Sequence, residues 1–167
     1  MRIISHSWLA VLLLSPTTAL SQSTWDRYVP GSFTAIIERE RPALVRDIQA
    51  GRTPMTRISG ATFPTRAIVH YQDSIRPTSP VHLELLTAWA RSLRLSADVA
   101  TMFQSEILVR EDTLALWLPT QAALIAAMRE ELRRGDRVML FAGYVGAAAR
   151  DSTTMDFAFV VNEFEKQ

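Results

Sequence analysis

The sequence predicts an α+β fold, a small and mostly antiparallel sheet curled toward a partly open barrel and covered by about three helices. Three observations predict it. Apolar residues recur at helical spacing in three segments, after Ser32, after Ser79 and from Gln121. Other runs alternate apolar with polar residues, as half-buried strands do. After the first helix, the elements follow in the order strand, helix, strand, strand, helix, strand, strand.

Each element has its own signal. Residues Gln22 to Pro30 form a short lead whose Trp25 and Tyr28 are expected to dock on the body of the domain. Ser32 is a suitable N-cap. Phe33, Ile36, Ile37, Leu44, Val45 and Ile48 then share one helical face. Pro42 lies inside that pattern and is expected to kink or split the helix. Gly51 is a natural residue to follow its end. Met55 to Phe63 reads as a strand with a possible bulge at Gly60, interrupted by Pro64. In Thr65 to Asp73, Ala67, Val69 and Tyr71 alternate with Arg66, His70 and Gln72. Arg76 to Pro80 holds two prolines and reads as a loop.

Ser79 and Pro80 form a helix start, with serine as cap and proline at the first helical position. His82, Leu85, Leu86, Trp89 and Leu93 make the buried stripe of this helix. Ser96 to Met102 suggests a short helical turn. Glu106 to Leu118 reads as a hairpin. With Glu111 and Asp112 as the turn, Val109 faces Leu114 and Ile107 faces Leu116. Gln121 to Arg134 is the third helix, with Leu124, Ile125, Met128 and Leu132 inward and Gly135 as its stop. That stop also accounts for the adhesion-like tripeptide Arg134-Gly135-Asp136. Two long strands close the chain, Arg137 to Ala149 and Thr153 to Phe164. The first is apolar on both faces, so both should be covered.

This order is similar to that of the oligonucleotide/oligosaccharide-binding (OB-like) barrel, which has a helix between its third and fourth strands. The helix at Gln121 to Arg134 occupies that place. The likeness concerns element order, and a fold by itself does not specify a function.

The first 21 residues read as a cleaved secretory signal. Arg2 supplies a basic start, Trp8 to Leu14 is an unbroken apolar run, and Pro16 with small residues at Ala19 and Ser21 follows. The run is about half of the roughly 20 residues that a spanning helix needs. Cleavage is expected before Gln22 or after Ala19, leaving one globular domain over residues 22–167. The apolar stretch Val138 to Ala149 is also too short to span, so the mature chain should hold no transmembrane segment. The product is expected in the periplasm or outside the cell.

Composition then excludes several classes. The chain has no cysteine, which removes disulfides, thiolate metal sites and a cysteine nucleophile. The 18 basic and 17 acidic residues come into balance once Arg2 leaves with the signal. A nucleic-acid partner normally calls for a basic excess or stripe, and none is present. No metal-site spacing or cofactor motif occurs, so neither a metal nor a cofactor is expected.

The candidate binding residues are His70, His82, Trp117 and Tyr144. Strand alternation places His70 opposite Tyr71 and Asp73, on a side shared with Arg66 and Gln72. His82 falls on the apolar stripe in the first turn of its helix, where burial and the helix dipole both disfavour a charge. Gly143-Tyr144-Val145-Gly146 places two glycines in an apolar strand. Such glycines mark a bend, a bulge or the close approach of another backbone, and Tyr144 could then wall a shallow groove. Trp117 is an aromatic available to meet a partner. No Gly-x-Ser-x-Gly elbow is present. The expected function is therefore that of an exported, non-catalytic domain binding a protein partner or a small ligand. A small envelope hydrolase using His70 or His82, and a structural component of the envelope, are the alternatives. An apolar pocket with few polar anchors would favour binding. A pocket gathering histidine, acid and hydroxyl would favour catalysis.

Overall fold

A computed structural model describes residues 27–52, 55–96, 98–151 and 153–167. The expected export signal and Trp25 lie outside the described residues. Ten elements follow one another: β1 (Val29–Pro30), α1 (Phe33–Gln49), β2 (Met55–Pro77), α2 (Pro80–Ser92), α3 (Asp98–Thr101), β3 (Ser105–Glu111), β4 (Leu114–Thr120), α4 (Ala122–Glu131), β5 (Arg137–Ala149) and β6 (Met155–Lys166). The class is α+β, with six strands in one mixed sheet and four helices among the described residues. No helix among them is long and apolar enough to cross a membrane.

The sheet order is β1-β2-β3-β4-β6-β5, and β5 pairs back onto β2, so five of the strands form a ring. β1 joins β2 in parallel, and β4 joins β6 in parallel; the other pairings are antiparallel. Among the described residues the β4–β6 contact is a single register pair, Thr120 with Val161. The start of β4 and the start of β6 therefore lie on either side of a seam.

One strand makes the ring possible. The two segments predicted on either side of Pro64 are a single 23-residue strand, β2. Its first part pairs with β5 and its last part with β3, while His70 pairs with both. A strand this long curls only if its ladder is interrupted. It is interrupted twice, between Ile58 and Phe63 and between Tyr71 and Ile75, where Asp73 has φ +52°. Pro64 interrupts nothing, because it falls at a register position opposite Gly143 and beside the first irregularity. The loop predicted at Arg76 begins two residues later than expected, since Arg76 and Pro77 still pair with β3.

Gly146 shows why the ring needs a glycine. A Cβ there would stand 2.5 Å from the Arg57 carbonyl oxygen, so only glycine lets the two backbones approach. Gly143 is different: a Cβ there would meet only Val160 Cγ2, at 3.7 Å.

The helices cover both faces of the sheet. Phe33, Ile36, Ile37 and Leu44 of α1 and Ile125 and Met128 of α4 pack with Tyr71, Ile107, Leu118, Leu140 and Phe159. Leu85, Leu86 and Trp89 of α2 pack with Phe103, Val145, Ala158 and Val160. β5 is thus apolar on both faces because both are covered. α1 runs unbroken through Pro42. An interior proline costs about 3 kcal/mol, but buried apolar residues lie on both sides of it, and each contributes roughly 1.5–3 kcal/mol. The caps are those predicted: the Ser32 hydroxyl accepts from the Ala35 N–H at 3.1 Å, and the Ser79 hydroxyl accepts from the His82 N–H at 3.3 Å.

The β3–β4 hairpin has the predicted apolar face but a different register. Val109 faces Leu116 and Ile107 faces Leu118, and the turn is Asp112-Thr113 with Asp112 at φ +50°. The shift moves each partner by two positions, which preserves the face. Glu111 is thereby a strand residue, and it is buried.

Candidate functional site

The seam between β4 and β6 holds a cavity of about 220 Å³. Its walls come from the Leu114–Trp117 stretch of β4 and the Met155–Phe157 stretch of β6, together with Ile37 of α1. Four polar side chains line it: Arg41, Arg76, His82 and Asp156.

Strand pairing positions the first part of the site. Arg76 and Glu106 are register partners across β2 and β3, so their side chains share a face. The Arg76 Nε–H donates to Glu106 Oε2 at 2.8 Å. Trp117 lies on the same face, directly opposite Leu108 and diagonal to Glu106, whose own register partner is Pro119. The Arg76 guanidinium lies over its ring, 4.1 Å from the centre, an attractive cation–π geometry.

The start of α2 positions the rest. Ser79 donates its backbone N–H to Glu106 Oε1 at 3.0 Å, and one turn later His82 Nδ1 meets the same oxygen at 2.5 Å. Glu106 is fully buried, at 0% exposure. Burial alone would push its carboxyl upward. The hydrogen bonds from His82, from the Ser79 N–H and from Arg76 outweigh that and hold it below its usual value. The group is therefore a carboxylate, which only accepts, so the proton shared with His82 belongs to Nδ1. With Nδ1 committed to Glu106, Nε2 is the ring nitrogen left for another partner.

Among the residues proposed from sequence, the structure brings two together: Trp117 and His82 line this one cavity, linked through Arg76 and Glu106. His70 is elsewhere. It is exposed on β2, with Nδ1 3.2 Å from the Gly135 carbonyl oxygen. Tyr144 lines a separate hollow between α1 and β2. Sequence reasoning missed Arg41, Arg76, Glu106 and Asp156. From sequence, Arg76 falls in the segment that reads as a loop and Glu106 opens the expected hairpin. Their partnership follows from the β2–β3 register, which joins residues far apart in the chain. Among the described residues, no three His, Asp or Glu side chains gather as a metal site.

Comparison of the sequence with protein-family models and with curated proteins finds no match. The chemistry of the site must be argued from its own residues.

Proposed function

We propose that the chain is an exported binding domain built on a partly open, OB-like barrel. Its seam cavity holds one neutral, polyhydroxylated ring, a sugar unit alone or at the end of a chain. The observation that carries this reading is the Arg76–Trp117 stack beside a His82 held by Glu106, in one small cavity.

Three features support the choice of ligand. The volume is below the roughly 300–1,000 Å³ of drug-sized sites, which suits a single ring. Apolar and polar residues share the walls, and the polar side chains include both donors (Arg41, Arg76) and an acceptor (Asp156), matching a ring with apolar faces and a rim of hydroxyls. The fixed charges balance, with two guanidiniums against the carboxylates of Glu106 and Asp156, so a strongly charged ligand gains little. The OB-like reading is supported by the ring order, by the parallel closure of β4 on β6, and by α4 between the third and fourth ring strands. Barrels of that type bind ligands beside their second and third strands, here β3 and β4. The export reading rests on Arg2 and the apolar run Trp8 to Leu14.

One observation favours the hydrolase alternative. Glu106 orients His82 as an acid orients a catalytic base. No serine, threonine or tyrosine is among the described residues lining the cavity, so a water would have to attack.

Calorimetric titration of neutral mono- and disaccharides tests the reading. At least one should bind the purified protein, and Trp117→Ala should weaken it at least about tenfold while the melting temperature holds. Binding of none, or equal binding by the variant, would overturn it. A sugar consumed during the titration would favour the hydrolase. A chain recovered in the cytoplasm with Met1 or Arg2 at its start would remove the export reading.

A further inference from the structure

A second hollow lies between α1 and the first half of β2. Its outer part, about 500 Å³, is walled by Val29, Pro30, Ala35, Ile36, Phe63 and Pro64. Its inner part, about 200 Å³, is lined by Glu40, Arg57, Ser59 and Tyr144 among others. Phe63 borders both parts, and the Arg39 guanidinium sits 5.3 Å from its ring centre. Phe63 is 46% exposed, although it is a large aromatic in the middle of a strand.

Two observations point to a ligand. The first is Tyr144. It is 2% exposed, its ring packs against Phe159, and its hydroxyl has no hydrogen-bond partner among the described residues. A buried hydroxyl is normally paired. The charges that act on this phenol are those of Glu40, Arg57 and Arg39, all of which border the hollow. The second is Arg57. Its nearest acids are Glu40 at 3.9 Å and Asp47 at 3.8 Å, too long for hydrogen bonds. Glu40 is already engaged, accepting from Arg39 Nε at 3.0 Å.

We propose that this hollow binds a chain-like monocarboxylate. The acyl chain lies along the outer apolar wall, and the carboxylate passes Phe63 to accept from the Tyr144 O–H and the Arg57 guanidinium. Charge complementarity selects the head group. The lining carries two guanidiniums, Arg39 and Arg57, against the one carboxylate of Glu40, so one positive charge is in excess; a guanidinium fork matches a carboxylate, and the phenol supplies a donor that burial keeps protonated. An apolar hollow with a few convergent donors is the usual form of a small-molecule site. This site is independent of the seam cavity.

The test uses decanoate, decanol and decyltrimethylammonium as probes on the purified protein, read by calorimetry and native mass spectrometry. Decanoate should bind, decanol at least about tenfold more weakly, and the ammonium probe not at all. Tyr144→Phe should weaken decanoate about tenfold. Ala35→Trp, on an exposed helix position, should block the outer part and abolish binding. Both variants should melt no lower than the parent, since one removes an unpaired hydroxyl and the other adds a surface ring. Trp117→Ala should leave decanoate binding unchanged. The proposal is overturned if decanoate does not bind, if decanol binds equally, or if Tyr144→Phe keeps the parent affinity. Loss of decanoate binding in Trp117→Ala would also overturn it.

Discussion

Glu106 and Glu111 stand at the two ends of β3, and each carboxylate holds the start of a different helix. Their separation of five residues places them on opposite faces of the strand. Glu106 accepts from the Ser79 N–H and His82 at the start of α2. Glu111 accepts from the Phe33 N–H at 3.0 Å, the Thr34 N–H and hydroxyl at 2.7 Å each, and the Ser32 hydroxyl at 3.0 Å, at the start of α1. Both carboxylates meet the positive end of a helix, where orphan N–H groups await acceptors.

Removing either one should destabilise the fold by a route that packing does not supply. Glu111→Ala should cost about 2 kcal/mol, for it strands several donors at a helix start. Glu106→Ala should cost about 3 kcal/mol, since it leaves His82 and the Ser79 N–H buried and unpaired. The two act on different helices and share no partner, so the double variant should equal their sum within about 0.5 kcal/mol. Urea unfolding of the four proteins measures this, and a strongly non-additive pair would show that the clasps are coupled.

The Glu106 carboxyl titrates lower in the folded protein than its unfolded value of 4.5. A group depressed by folding contributes stability that is complete above its unfolded value and is lost as pH falls through its folded one. Stability should therefore decline once the pH drops below about 4.5, and Glu106→Gln should flatten that decline while lowering stability at neutral pH. Chemical denaturation repeated across the acid range reads both effects. A parent and variant with parallel acid limbs would contradict this assignment.

Asp151 should act over a window of its own. Its carboxylate accepts from the Thr153 hydroxyl and from the Thr153 and Thr154 N–H groups, which hold it down at about 2 against an ordinary 3.8. The turn between β5 and β6 should lose this support only between those values. NMR titration of the Asp151 carboxyl carbon checks it, and a midpoint near 3.8 would refute the turn geometry.

The two glycines of β5 should respond in opposite ways. Gly146→Ala forces a methyl against the Arg57 carbonyl and should cost about 1–3 kcal/mol, the usual range for overpacking. Gly143→Ala finds van der Waals space beside Val160 and should be neutral within about 0.5 kcal/mol. Thermal melts of the two variants separate these cases.

Much of the fold was legible in the sequence because its signals are local. Ser32, Ser79 and Pro80 mark helix starts through their own side chains. The apolar stripe of α2 and the double-faced apolar run of β5 announce burial directly. The unity of β2 was not legible. Pro64 reads as a break until its register opposite Gly143 is known, and that register is a long-range fact. The candidate site divides in the same way. Trp117 and His82 stood out as rare residue types in informative positions. Arg76 and Glu106 look like ordinary surface charges, and only the cross-strand pairing places them together and buries the acid. The turn at Asp112-Thr113 was missed by one position, since aspartate tolerates a left-handed φ almost as well in either place.

The β2–β5 ladder has a consequence for the order of assembly. It joins Met55 to Ala149 and His70 to Arg137, so the longest strand meets its main partner only after most of the chain is present. Until then the β3–β4 hairpin can form on its own, while the first half of β2 has its hydrogen-bonding edge open. Non-local pairing of this kind slows folding and exposes edges that aggregate. A chain emerging from its N-terminus should therefore depend on being held unfolded until β5 follows.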